Sequence, residues 1–392
     1  MVGTGAMSLY SLSHKHNGIA RIAIFVPTLL GGGAERVMMT LANEFAARGF
    51  AVDLVLAMAE GPYLSQLSDS VRIVDLKAGR VIMALWPLLR YLRSQRPVAM
   101  LSAMTHSNVV AILARELACV PTRLVVSERS TITVDSSVAH GGVARLLYAL
   151  VPLLYPRADG IVAVSQASAN DLVGFAGLAA ASVKAIYNPF DLHRIKILAA
   201  APLTHHWFAA GQPPVVLAIG RLTEQKDFSN LIRAFARLRE IRPARLMILG
   251  EGELRAELEA QVVACGLTMD DIQMPGFLAN PFAYLAHCGV FVLSSRWEGL
   301  PGVLIEAMAC GSPVVATDCP SGPHEILEGG RWGSLVPVGD EDALVKAIDL
   351  ALATPRAQMP DVRKRAADFE LERAVASYLA ALLPRGDNCE IK

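Results

Sequence analysis

The sequence predicts an α/β protein built from two successive doubly wound units, and three observations carry that expectation. The chain has 392 residues, more than a single hydrophobic core usually organises. Short apolar runs of strand length alternate with longer runs of helix length, the pattern of a parallel sheet covered on both faces. The alternation then restarts after Pro213-Pro214 with a fresh opening strand.

In the first unit, residues 22–27 are an apolar strand that runs into Thr28-Leu29-Leu30-Gly31-Gly32-Gly33, and a helix is predicted over 34–48. Further strands are predicted over 52–57, 98–102, 122–127 and 160–164, with helices over 82–94, 108–117, 143–154 and 167–174. In the second unit the strands fall at 215–219, 245–249, 272–274, 290–293 and 314–316, and the helices at 227–241, 253–265, 302–310 and 340–353. The boundary is placed at Asn188-Pro189, because a proline and the residue before it are restricted in a way that suits a hinge. The expected domains are therefore 19–188 and 189–360, with a connector at 197–212 and a last helix, 361–384, that packs back on the first domain. The tail, 385–392, reads as disordered.

Composition excludes several classes. Hydrophobic residues make up 53% and charged residues 18%, which rules out a disordered chain. A formal net charge of zero gives no reason to expect a nucleic-acid partner. The six cysteines are scattered, without a Cys-x-x-Cys pair, and read as reduced thiols of a cytoplasmic protein rather than a disulfide framework or a zinc site. Residues 1–18 are polar and lack the charged-then-apolar order of a secretory signal. The longest uncharged apolar run, 146–156, is far short of the roughly 20 residues a membrane span needs, so no transmembrane helix is expected.

The chemistry concentrates in Ser294-Ser295-Arg296-Trp297-Glu298-Gly299-Leu300-Pro301-Gly302-Val303-Leu304-Ile305-Glu306. A strand ends near Ser294, a tight Gly-Leu-Pro turn follows, and Pro301 suits the first position of a helix. Gly302 and Val303 then offer free N–H groups at a helix N-terminus, an anion site suited to a diphosphate. Glu298 stands just before those amides and Glu306 about a turn into the helix. A carboxylate buried on a helix otherwise made of Val303, Leu304, Ile305, Ala307, Met308 and Ala309 is costly unless something pairs with it. An isolated Glu-x₇-Glu reads more simply as a helix cap and a solvated side chain. The order strand, Gly-Leu-Pro turn, helix and Gly-x-Pro exit reverses that preference.

This stretch resembles the donor-site motif of the retaining GT-B glycosyltransferases, specifically family 4, which includes the bacterial lipopolysaccharide, capsule and exopolysaccharide type. The resemblance extends in order over nearly the whole chain. Gly220-Arg221-Leu222-Thr223-Glu224-Gln225-Lys226-Asp227 is similar to the family's Gly-Arg-Leu…Lys-Gly element, with Asp227 in place of a frequent glycine. Gly250-Glu251-Gly252 is similar to its Gly-x-Gly turn, Gly276-Phe277-Leu278 to its nucleobase-facing loop, and the stretch Cys319 to Ile326 to its next loop. Gly31-Gly32-Gly33-Ala34-Glu35-Arg36 resembles its N-terminal glycine loop, and its sixth residue, Arg36, speaks against a nicotinamide fingerprint.

The resemblance implies two Rossmann-like domains facing an interdomain cleft, with the nucleotide held by the second. Glu298, Arg221 and Lys226 would be the catalytic set, the two cations meeting charge on the leaving diphosphate. Donor binding would fall to Gly32, Gly33, Gly220, Arg221, Lys226, Gly276, Phe277, Glu298, Gly299, Leu300, Pro301, Gly302, Val303 and Glu306. No metal and no cofactor is expected. The donor is a nucleoside diphosphate sugar, UDP-linked by default and GDP-linked next, carrying a hexose-type sugar. The acceptor is lipid-linked or an oligosaccharide.

One departure stands out. Family members often carry a histidine after an N-domain strand, where this chain has Ser127-Glu128-Arg129-Ser130; Glu128, Arg129 and the nearby His106 remain open as substitutes. Asp340-Glu341-Asp342 looks like a metal motif but stands at a helix start, where acids cap. Leucine-rich segments at 143–156 and 82–91 are read either as core helices or as a surface resting on the inner face of the cytoplasmic membrane. A sugar-nucleotide epimerase of the same fold, and a non-catalytic donor-binding partner of another transferase, are the competing functions.

Overall fold

The computed structural model of the protein describes residues 20–30, 32–139 and 141–384, so the expectations for the polar start and for the tail lie outside the described residues. The first domain holds a seven-stranded sheet of β1 (Arg21–Val26), β2 (Ala51–Leu56), β3 (Val71–Asp75), β4 (Ala99–Ala103), β5 (Arg123–Glu128), β6 (Gly160–Ala163) and β7 (Val183–Ala185). Its order is β3-β2-β1-β4-β5-β6-β7, parallel throughout. The second holds β8 (Val215–Ile219), β9 (Arg245–Leu249), β10 (Ile272–Gly276), β11 (Val290–Leu293), β12 (Val314–Thr317) and β13 (Ser334–Val336), in the order β10-β9-β8-β11-β12-β13 and again parallel. Both domains are therefore doubly wound, and the fold is the predicted one.

The register shows why the strands read as unbroken apolar runs. Ile22 pairs with Val52 and Ala99, and Ile24 with Leu54 and Leu101, all on one face. The intervening Ala23, Phe25, Val55 and Met100 enter a second buried cluster on the opposite face. Each sheet thus has a core on either side, and each strand alternates between two apolar environments.

Strand order reverses between β1 and β4 in the first sheet and between β8 and β11 in the second. Ligands of open α/β sheets bind at such switch points, beyond the carboxyl ends of the strands. The glycine loop follows β1, Gly220-Arg221 follows β8, and Ser294 to Pro301 follow β11. The predicted donor residues therefore collect at the carboxyl edges of the two sheets.

The last helical segment differs from expectation. Residues 361–384 are not one helix on the first domain. A short helix, Arg363–Ala366, and the turn Ala367–Phe369 bury Val362, Ala366 and Phe369 in the second domain's core beside Leu304 and Met308. Only the helix Leu371–Leu382 reaches the first domain, where Val375, Tyr378, Leu379 and Leu382 pack with Ile22, Leu101 and Val125. The break lies at Glu370, whose backbone is extended because the chain there pairs with Phe190. Phe190 N–H donates to Phe369 O at 3.2 Å and Leu371 N–H to Phe190 O at 2.9 Å. The two crossings between domains, at 188–190 and 369–371, lie side by side. The expected connector also starts later than predicted, since Leu192–Ala199 is a helix capped by Asp191, whose carboxylate accepts from Arg194 N–H at 2.8 Å.

Candidate active site

The loop after β11 is stitched to the loop after β8 by a set of short bonds. Ser294 Oγ donates to Lys226 O at 2.7 Å, Arg296 N–H to Gln225 O at 2.8 Å, and Gln225 Nε2 to Trp297 O at 2.9 Å. Asp227 takes the left-handed conformation, φ 46°, in which a glycine is otherwise favoured. Its carboxylate caps the helix Phe228–Ile241 and accepts from Arg296 Nε at 3.0 Å. Asp227 thus braces the two loops against each other.

That framework sets Lys226 Nζ 2.5 Å from Glu298 Oε1. Ser295 Oγ donates to the same oxygen at 2.7 Å. Glu298 is buried, so the cation and the hydroxyl are what make its charge tolerable there. Arg221, next to Gly220 at the end of β8, is exposed and forms no ion pair among the described residues. Phe277 is 82% exposed at the rim, after Gly276.

Gly299 and Leu300 are buried where the two domains meet. A side chain at Gly299 would put Cβ 2.6 Å from Arg129 O, so only glycine allows this approach. Thr131 Oγ1 donates to Glu298 O at 2.9 Å and Ser165 Oγ to Gly299 O at 3.3 Å, both from the first domain. Pro301 is the N-cap residue, one place earlier than expected, and the helix runs Gly302–Ala309. Its first backbone bond is Leu304 N–H to Pro301 O, which leaves the Gly302 and Val303 amides at the open end.

Glu306 projects one turn down that helix, and its side chain is 14% exposed. Burial pushes its carboxyl above the usual carboxylate range, and Arg36 opposes the shift. Arg36 Nη1 lies 3.2 Å from Glu306 Oε1. Arg36 belongs to the first turn of the helix Gly33–Ala47, which Gly32 precedes, so the start of this helix faces the helix Gly302–Ala309 across the cleft.

The candidates for the missing histidine separate clearly. Glu128 is fully buried and receives bonds from Thr105 Oγ1 at 2.9 Å, Asn108 Nδ2 at 3.1 Å and the Tyr155 hydroxyl. Burial raises its carboxyl to about 7. Arg129 is engaged by the hinge, donating to Asn188 Oδ1 at 2.5 Å and to Tyr378 OH at 3.0 Å. His106 packs edge-on against Tyr148 and is pushed below its ordinary value by burial. Asp340 caps Ala343 N–H at 2.9 Å, and no cluster of three or more potential metal ligands occurs among the described residues.

Sequence reasoning missed three residues that join the domains. Thr131 carries no motif. Arg36 stands at the end of the glycine loop, where the sequence alone shows no partner for it. Glu325 accepts from Gln166 N–H at 2.9 Å, Ala167 N–H at 3.2 Å and Tyr187 OH at 2.6 Å, so its carboxylate clasps the start of the first domain's helix Gln166–Ala176.

Two doubly wound domains with their carboxyl edges turned to one cleft, and a lysine–carboxylate pair at a helix N-terminus within it, define a GT-B glycosyltransferase. Comparison with known proteins agrees. The model of a family described as "Glycosyltransferase Family 4" matches residues 31–194, and that of "Glycosyl transferases group 1" matches residues 213–354. The chain is 30% identical over 377 residues, 93% of its length and 99% of the relative's, to N-acetylgalactosamine-N,N'-diacetylbacillosaminyl-diphospho-undecaprenol 4-alpha-N-acetylgalactosaminyltransferase of Campylobacter jejuni. It is 29% identical over 303 residues, 76% of its length and 80% of the relative's, to the amylovoran biosynthesis glycosyltransferase AmsD of Erwinia amylovora. Among solved structures, HepE of Anabaena in complex with UDP superposes with a TM-score of 0.75 at 22% identity, over 93% of this chain and 100% of that one. WaaG, a glycosyltransferase involved in lipopolysaccharide biosynthesis, does so with a TM-score of 0.72 at 16% identity, over 93% and 100%. The chain belongs to glycosyltransferase family 4.

Proposed function

We propose that this glycosyltransferase moves a hexose-type sugar from a nucleoside diphosphate sugar, UDP-linked by default, to a lipid-linked or oligosaccharide acceptor in bacterial surface glycan synthesis, with retention at the anomeric carbon. The observation that carries this reading is the Lys226–Glu298 pair at the open N-terminus of the helix Gly302–Ala309, with Glu306 one turn below.

The roles follow from position. The Gly302 and Val303 amides, Lys226 and Arg221 surround a place for the diphosphate and meet its charge without a metal ion. Lys226 rests on Glu298, so a binding diphosphate draws it away and frees a carboxylate for a hydroxyl of the donor sugar. Glu306 accepts from the ribose hydroxyls, and Phe277 offers a face to the base. In the reaction the bond from the anomeric carbon to the diphosphate oxygen breaks while the acceptor oxygen bonds to that carbon on the same face. The acceptor's proton passes to the departing diphosphate oxygen. The printed name of the Campylobacter relative, with its diphospho-undecaprenol acceptor, supports a lipid-linked acceptor, and the UDP bound in HepE supports the default donor.

A lipid acceptor also suits the first domain's surface. No helix among the described residues is long and apolar enough to cross a membrane. Of the leucine-rich segments, Leu88, Leu89, Tyr91, Tyr148 and Tyr155 are buried, as core helices require. Ile82, Met83, Trp86, Val143, Leu146 and Leu153 are exposed, and their elements flank one helix, Thr105–Ala118. That face is proposed to rest on the cytoplasmic membrane's inner surface.

The test is nucleotide release from a panel of UDP- and GDP-sugars with a lipid-diphosphate acceptor extract. Acceptor-dependent release that falls roughly 100-fold or more in Lys226→Ala and Glu306→Ala, both still folded, is the expected outcome. Sugar interconversion without acceptor would instead mark an epimerase, and donor binding without turnover would mark a binding partner.

A further inference from the structure

We propose that Arg36 is a placeholder across the cleft: it pairs with Glu306, and when a nucleoside diphosphate binds it yields Glu306 to the ribose and turns to the diphosphate. The inference rests on the proposed reading of Glu306 as the ribose acceptor.

Four observations carry it. Glu306 stands on an otherwise apolar helix face with its side chain 14% exposed, a setting in which a carboxylate needs a partner. The partner it has comes from the other domain, 270 residues away. That partner is held loosely: a single bond of 3.2 Å, from a side chain 53% exposed, rather than the paired bonds a guanidinium makes in a permanent bridge. Its backbone, by contrast, is fixed, since Arg36 N–H bonds to Gly32 O at 3.1 Å in the first turn of its helix. The guanidinium can therefore exchange partners by side-chain rotation alone.

The distance to be covered is short. Glu306 follows Gly302 by four residues, which at the helical rise is about 6 Å along the axis. A ribose on Glu306 thus puts its diphosphate at the helix N-terminus, beside the same guanidinium. Glu306 then has one acceptor oxygen pair for two claimants, while Arg36 has a doubly charged ligand in exchange for a single carboxylate. Arg36 opposes a bare nucleoside and favours a nucleoside diphosphate, so it sharpens discrimination between them.

The experiment is titration calorimetry of the full chain with uridine and UDP, and in parallel guanosine and GDP, on wild type, Arg36→Ala and Arg36→Lys. Thermal melting confirms that each variant is folded, as the exposure of Arg36 leads one to expect. Arg36→Ala should bind the nucleoside several-fold more tightly and the diphosphate roughly tenfold more weakly, with Arg36→Lys in between for the diphosphate. Equal changes for both ligands, or none, would reduce Arg36 to an ordinary interdomain bridge. If wild type binds none of the nucleoside diphosphates, the functional reading itself falls and takes this inference with it.

Discussion

Glu128 shows how a single buried group shapes the behaviour of the first domain. Its carboxyl is raised from 4.5 to about 7 by burial, against the bonds from Tyr155, Thr105 and Asn108. The folded protein therefore holds this proton more tightly than the unfolded chain. Stability from this group is complete below the unfolded value and is lost as pH rises from about 4.5 to about 7. The ceiling on that loss is about 3 kcal/mol. Glu128→Gln, which stays neutral, should lack the decline; denaturant unfolding at pH 5 and pH 8 on both proteins checks this, and an equal drop in the two would refute it. The sequence offered Glu128 as a substitute for the missing histidine, because position along the strand was legible and burial was not. Glu298 and Glu306 were legible for the opposite reason: they flank the Gly299-Leu300-Pro301-Gly302 turn that starts a helix, so local chemistry marked them, whereas Lys226 was marked by the resemblance of the stretch Gly220 to Asp227. Arg36, Thr131 and Glu325 act over separations of 270, 167 and 159 residues, and no local pattern announces such contacts.

At the scale of elements, the sequence displayed the buried strands and hid the marginal ones. β3 has three exposed positions out of five, and Arg72 within it donates to buried Asp53 at 2.8 Å from Nε, so polarity masks a true strand. β7 and β13 have three residues each, too few for any alternation to register. The loop after β11 makes a prediction at this scale. Its Gly299 touches the backbone of Arg129 and Ser130 in the other domain, where a Cβ would lie 2.6 and 2.9 Å away. Backbone cannot yield as a side-chain tip can, so Gly299→Ala should prop the domains apart rather than unfold either one. Transfer should drop roughly tenfold or more, since the donor loop no longer seats. Small-angle scattering should show a larger radius of gyration with unchanged helix content. Full activity in this variant would disprove the close approach.

For the whole molecule, the arrangement of exposed apolar residues on the first domain leads to a prediction about location. Trp86 and Met83, each 63% exposed, together with Leu146 at 56%, stand outside the first domain's buried cluster. Replacing the three with serine should leave melting unchanged and weaken sedimentation with anionic phospholipid vesicles by roughly tenfold or more, given about 0.8 kcal/mol per buried methylene. Vesicle binding that is absent in wild type, or equal in the triple variant, would detach this surface from any membrane role.

The helix Leu371–Leu382 has a consequence for how the chain comes into being. It fills the first domain's core with Val375, Tyr378, Leu379 and Leu382, yet it leaves the ribosome after every residue of the second domain. Domains are ordinarily completed in the order of synthesis. In this chain the first domain emerges with an open seam beside Ile22, Leu101 and Val125, and that seam stays open throughout translation of the second. The second domain, whose core closes with Phe369, is finished first, and the N-terminal half must wait for its own last piece.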